Sequence, residues 1–210
     1  MANPTPDFTA TLSAGESCRV VPDMLHPTQF GVGMEEVKWR TAKLGRMDKD
    51  ERHDYLMERE APLVIGPGGT PYIIDRHHLA RAILDAAPEH RLHARIVAVW
   101  SDLDVRTFWD RMDEREWVWR YDTNGHGPRA HEEIPDTLLG LGDDYYRSLA
   151  WAIREREAVR KTFIPFAEFR WALWLREVMP HPTGHFEADA AACAVLAREG
   201  AAHDLPGWRG

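Results

Sequence analysis

Residues 61–84 constrain the fold more than any other part of the chain. Ala61-Pro62-Leu63-Val64-Ile65 is a short apolar run of the kind that fills a buried strand, and Gly66-Pro67-Gly68-Gly69 stops it with strong turn chemistry. Tyr72-Ile73-Ile74 resumes extended structure and passes directly into Asp75-Arg76-His77-His78-Leu79-Ala80-Arg81-Ala82-Ile83-Leu84. Leu79, Ala82 and Ile83 recur at helical spacing. Asp75 is a favoured helix cap, because its carboxylate accepts a hydrogen bond from the exposed amides of the next turn. Two short strands feeding an amphipathic helix, expected over 75–87 and stopped near Pro88, commit the chain to a mixed α/β fold.

The same junction carries chemistry. The unsatisfied amides and the dipole of a helix start attract anions. His77 and His78, in the first turn, can donate to phosphate oxygens, and one can transfer a proton near neutral pH. Arg76 can contact a phosphate bidentately. The plainer reading is a surface histidine or backbone capper and a surface ion pair for Arg76. Arg81, more than a turn along, reads as solvated.

Along the chain, residues 1–14 read as a loose leader and 17–21 as a short strand. A loop over 22–33 follows, holding Pro22, Pro27, Gly31 and Gly33. Helical patterns cover 34–44 and the highly charged 49–60. A strand with alternating Ala94, Ile96, Ala98 and Trp100 spans 93–100, and a helix spans 105–116. Residues 117–121 alternate as a last strand or an extended arm, before the break at Asn124-Gly125-His126-Gly127-Pro128. Helices are then expected over 145–159, 165–178 and 187–199. The middle one crowds Phe166, Phe169, Trp171, Leu173, Trp174 and Leu175, which predicts an all-round apolar helix inside a core. The organisation is therefore an α/β domain over 15–122 and a helical C-terminal subdomain over 135–200.

Composition narrows the function. The chain of 210 residues has a formal net charge of −8 and no basic stripe. Duplex DNA is disfavoured as a partner, because it demands a basic footprint, whereas a small anionic ligand at one local site is compatible. Only Cys18 and Cys193 are present, too few for a disulfide framework or zinc ribbon. Cys193 reads as a buried filler, and Arg19 beside Cys18 is a weak argument for reactivity. No apolar run is long enough to span a membrane, and the polar start lacks a secretory layout, so a cytoplasmic location is the default.

Several motifs, in order, carry a resemblance. Pro27-Thr28-Gln29, the helix from Met34, Leu63-Val64-Ile65, Ile73-Ile74-Asp75-Arg76-His77-His78-Leu79-Ala80-Arg81-Ala82 and Pro165-Phe166-Ala167-Glu168-Phe169-Arg170-Trp171 resemble the ParB/sulfiredoxin superfamily. More narrowly, over about residues 15–200, the chain resembles the ParB-like nuclease group. The resemblance implies a small mixed sheet with flanking helices and a nucleotide or phosphate over the start of the helix after the strand pair. Sulfiredoxins carry a reactive Cys where this chain has Arg76. Chromosome-partition ParB proteins carry a Gly and paired arginines for CTP phosphates where Asp75 and His77-His78 stand. Free-serine kinases carry an Asp-Gly-His-His-Arg style turn, which Asp75, His77 and His78 match, while Arg76 replaces the Gly and Leu79 the Arg.

The resulting site expectation has three parts. His77, His78, Glu35 and Glu36 are the candidates for proton transfer; the two glutamates also suit a helix start for dipole reasons alone. Gln29, which the resemblance places in a Pro-x-Gln ligand region, joins Gly68, Gly69, Asp75 and Arg76 as ligand-binding candidates. His26 is a metal candidate with His77, His78 and Asp75. The cofactors to be considered are Mg²⁺ and a nucleotide (ATP, ADP or CTP). A phosphate-ester enzyme of nuclease type, which the resemblance favours, stands against a nucleotide-dependent small-molecule kinase. A third reading is a non-catalytic nucleotide-binding module whose Trp-rich C-terminal region holds a partner or makes a homodimer. His181 and His185, with Pro182 and Gly184 between them, read as a loop pair, and His126 and His131 as loop residues for which the sequence offers no visible partner.

Overall fold

The computed structural model describes residues 5–86 and 90–210. In chain order its elements are β1 (Ser17–Val20), β2 (His26–Pro27), β3 (Gly31–Val32), α1 (Met34–Arg46), α2 (Lys49–Met57), β4 (Ala61–Ile65), β5 (Pro71–Ile73), α3 (His77–Ala86), β6 (Leu92–Val99), α4 (Val105–Glu114), β7 (Gly142–Asp143), α5 (Tyr145–Glu155), α6 (Ala167–Val178) and α7 (Phe186–Leu196). The chain divides into two compact units. One comprises residues 1–30, 37–122 and 127–141; the other comprises 31–36, 123–126 and 142–210. The expected end of α3 at Ala87 and Pro88 lies outside the described residues.

The first unit is built on a mixed sheet in the order β1-β6-β4-β5-β2. β4 pairs parallel with β6 and antiparallel with β5, and β2 adds parallel to β5. Leu63, Val64 and Ile65 of β4 are fully buried, as an apolar run in a central strand must be. β6 shows the expected alternation: Leu92, Ala94 and Ile96 are buried while Val97 and Val99 face outward. Phe108, Trp109 and Met112 of α4 pack with Val64, Ala98 and Val118 into one apolar cluster. From residue 5 on the leader is not loose: Phe8 donates to the Arg19 carbonyl and Arg19 donates to the Pro6 carbonyl, both at 2.8 Å. Residues 117–121 form an extended arm rather than a strand, touching the sheet side at a single bridge between Gln29 and Trp119.

The second unit pairs β3 with β7 and packs α5, α6 and α7 around Leu149, Ile153, Trp171, Leu175 and Cys193. The expectation for α6 is corrected. Only Trp171, Ala172 and Leu175 are buried in it, so its apolar content is one face plus aromatic trimming. Trp171 is placed by its indole N–H, which donates to the Pro206 carbonyl at 2.7 Å. No described helix is long and apolar enough to cross a membrane.

Candidate functional site

The turn between β5 and α3 differs from the expected cap in an informative way. Asp75 does not cap the helix amides; its Oδ1 accepts from the backbone N–H of Arg76 at 2.7 Å. Arg76 then takes φ = +70° and the helix starts one residue later, at His77. A left-handed conformation costs a residue with a Cβ about 1–2 kcal/mol, which is why glycine usually supplies it. The Arg76 carbonyl accepts from Ala80, closing the first helical turn. Its Nε is shielded from solvent and makes no hydrogen bond, with Asp75 Oδ2 at 4.0 Å. The first turn of α3 contains no carboxylate, so the positive end of its dipole is uncompensated from within the helix.

Beside this turn lies the Pro27-Thr28-Gln29 segment. Pro27 is in register with Ile73, and the Thr28 hydroxyl donates to the Ile73 carbonyl at 3.0 Å. The Thr28 amide donates to His77 Nε2 at 3.2 Å, and the Thr28 carbonyl accepts from Trp119 at 2.9 Å. These bonds fix Thr28 and Gln29 against the start of α3. They also rule out the plainer reading of a surface histidine: His77 is 3% exposed and His78 9%. An Nε2 that accepts a hydrogen bond carries no proton, so the His77 ring is neutral with its proton on Nδ1. Its work is positional.

Other candidates fall elsewhere. Gly68 and Gly69, with φ of +67° and +86°, make the turn joining β4 to β5, at the far end of β5 from His77. A Cβ on Gly69 would lie 2.7 Å from that of Ala10, so glycine is required there for the turn rather than for a ligand. His26 packs its ring 5.4 Å from that of Tyr72, and among the described residues no three His, Cys, Asp or Glu side chains gather as a metal site. The His26 metal site is therefore not assembled. Arg81 is not solvated: it bonds Asp85 at 3.1 Å and the Leu138 carbonyl at 3.2 Å. His131 has partners too, Asp113 at 2.9 Å and the stacked ring of Trp109.

Glu35 and Glu36 belong to the second unit. The Glu35 amide donates to Ser148 Oγ at 3.1 Å, and Glu36 is 3% exposed. A buried charge set lies in the same unit. Arg147, itself 4% exposed, reaches Glu168 at 3.3 Å and stacks its guanidinium 3.9 Å over Phe169. Arg154 pairs with Glu168 and Glu155. Burial would lower its pKa, but the charges of Glu168, Glu36 and Glu155 hold it above the usual arginine range. Sequence reading passed over Arg147. The signal was present, since Arg147 shares a helical face with Ala150 and Trp151 in an otherwise apolar run.

With this geometry in place, comparison with known proteins supplies the class. The family described as "Putative ParB-like nuclease" matches residues 18–177. The chain belongs to that family. The crystal structure of protein Atu1540 from Agrobacterium tumefaciens is similar, with 32% identity and a TM-score of 0.82 over 95% of this chain and 99% of that one. No curated protein matches the chain.

Proposed function

We propose that the chain is a phosphodiester-directed hydrolase that seats a phosphate on the Asp75-Arg76 turn and the first amides of α3. The observation that carries this reading is Arg76: a charged residue occupies the left-handed position that favours glycine, and its shielded Nε makes no hydrogen bond. Strain of this kind at a helix start is a mark of functional turns. The guanidinium and the helix dipole both favour an anion at the same point. Gln29, fixed beside the turn by the Thr28 bonds, is assigned a hydrogen bond to the ligand.

The roles then divide. His77 holds the Thr28 segment, and proton transfer is assigned to His78, the neighbouring imidazole in the first turn. Asp75 is 72% exposed at the side chain and is the carboxylate of this turn. Magnesium prefers oxygen donors and is commonly held by one carboxylate together with substrate phosphates. Asp75 fits that donor set and would hold the ion, which supplies charge neutralisation for the departing oxygen. Glu35 and Glu36, which the sequence offers as bases, take no step in this reading.

The test is cleavage of end-labelled single- and double-stranded DNA and RNA with Mg²⁺, in the wild type, Arg76→Ala and His78→Ala. Loss of cleavage in both variants, with circular dichroism unchanged, supports the reading; equal cleavage in all three overturns it. Transfer of the ATP γ-phosphate to a small hydroxyl compound would replace it with the kinase reading. Calorimetric binding of CTP or ATP without turnover would replace it with the binding module.

A further inference from the structure

We infer that the second unit carries a separate binding site for a small phosphate-bearing molecule, in an open surface hollow of about 310 Å³ at the carboxyl end of α5. Four cations line it, Arg154, Arg160, Lys161 and Arg209, against the carboxylates of Glu155 and Glu157. This local excess is positive in a chain whose net charge is −8. The site is independent of the α3 turn and shares no residue with it.

The cations differ in what they are free to do. Arg154 is already neutralised by Glu168 and Glu155, so it contributes position more than charge. Arg209 is oriented by donating to the Glu157 carbonyl at 2.8 Å. Among the described residues, the Arg160 and Lys161 side chains have no carboxylate partner. A plainer role for these cations is to offset the negative end of the α5 dipole. That end amounts to about half an elementary charge, which Arg209 alone satisfies. Two further unpaired cations exceed that need.

The backbone that carries these cations is fixed. Glu157 has φ = +56°, and Ala158 and Glu157 donate to the Ile153 and Arg154 carbonyls, each at 2.9 Å, which closes the helix end. The Arg160 amide donates to Gly207 at 2.8 Å. A Cβ on Gly207 would lie 2.3 Å from the Arg160 carbonyl, so a close backbone approach fixes the segment carrying Arg160 to the segment carrying Arg209. Guanidinium groups match phosphate oxygens bidentately and Lys adds a point charge, so a phosphomonoester or a pyrophosphate is the ligand class that uses all of them.

The experiment is calorimetric titration of the full chain with pyrophosphate and with inorganic phosphate, at low and at high salt. Compared proteins are the wild type, the double variant Arg160→Glu with Lys161→Glu, Glu157→Gln and Arg76→Ala. The result expected is pyrophosphate binding that survives Arg76→Ala, falls at least tenfold in the double variant, tightens in Glu157→Gln and weakens with salt. The Glu157, Arg160 and Lys161 side chains are exposed, and retention of the wild-type melting temperature by the double variant confirms the fold. Binding unchanged in the double variant overturns the inference, as does no pyrophosphate binding by the wild type. Loss of all binding in Arg76→Ala overturns it too and leaves the α3 reading standing.

Discussion

The imidazole of His77 accepts the backbone N–H of Thr28 at 3.2 Å across a separation of 49 residues, and both groups are buried. The first unit thereby uses a side chain to satisfy a main-chain amide at the junction of two segments. Replacing His77 with Ala strands that amide, which costs about 1–3 kcal/mol, in addition to the volume lost. The expected result is a clear fall in the urea midpoint. His77→Gln, which can still present an acceptor, recovers part of it. An unchanged midpoint in His77→Ala would show that the bond does not hold the junction.

Arg76 offers the opposite expectation. Glycine at this position relieves a left-handed backbone, partly offset by the greater freedom of the unfolded chain, so Arg76→Gly stabilises by roughly 0.5–1 kcal/mol. In a chain of this size that raises the melting temperature by about 1–4 °C. Phosphate binding at the turn is lost in the same variant. Thermal unfolding and phosphate titration of one preparation read both effects.

Three other helix ends carry a left-handed residue that is not glycine: Phe166, with φ = +56° at the start of α6, and the residues that close α4 and α5. Glu116 and Glu157 have φ of +54° and +56°, each followed by a residue that reaches back to the helix, Trp117 to Met112 and Ala158 to Ile153, at 2.9 Å in both cases. This is the closure that glycine normally completes. Glu116→Gly is expected to raise stability by roughly 0.5–1 kcal/mol, measured as a shift in the denaturation midpoint.

Asp189 sets an acid limit on the second unit. It is 3% exposed and accepts from the Tyr145 hydroxyl at 2.7 Å, the Thr183 amide at 3.0 Å and hydroxyl at 2.7 Å, and the Gly184 amide at 3.1 Å. Burial raises its pKa, but these bonds outweigh burial and hold the carboxyl below the usual carboxylate range. A depressed folded pKa gives stability that is present above the unfolded value of about 3.9 and lost as pH falls through the folded one. Tryptophan fluorescence against pH should show acid unfolding that moves upward in pH in Asp189→Asn. That variant should also lose about 1–3 kcal/mol at neutral pH.

Both thiols are expected to be inert in the folded chain. Burial pushes Cys18 up to about 11, with Glu60 and Asp7 adding to it, and burial beside Asp189 pushes Cys193 up to about 12. The thiolate is the reacting form, so a disulfide reagent at pH 8 should label neither until denaturant is added. Rapid labelling of the native protein would contradict this.

What could be read in advance follows from range. The glycine-proline turn, the apolar β4 and the α3 stripe are encoded within a few residues of one another, and they fold as expected. Strands of two residues, such as β2 and β3, are too short to show a period, and they hid inside the loop expected over 22–33. Asp75 reads as the helix cap because an arginine gives no sign of a left-handed backbone. The burial of His77 has no local sign, because its partner, Thr28, is remote in sequence. Arg147 is hard to pick out because a charge at a helix start is ordinarily a surface feature; its apolar face-mates Ala150 and Trp151 are the one local sign, and its pairing with the remote Glu168 completes the picture.

The Asp75-Arg76 turn divides backbone from side chain: its shape can be met by glycine, whereas its charge cannot. Among proteins built on this scaffold, the residue at that one position should therefore sort members by what they hold. Those with a long cation are expected to depend on it for gripping their ligand. Those with glycine must draw the same grip from elsewhere, so a swap at this site is a direct way to transplant ligand preference between them.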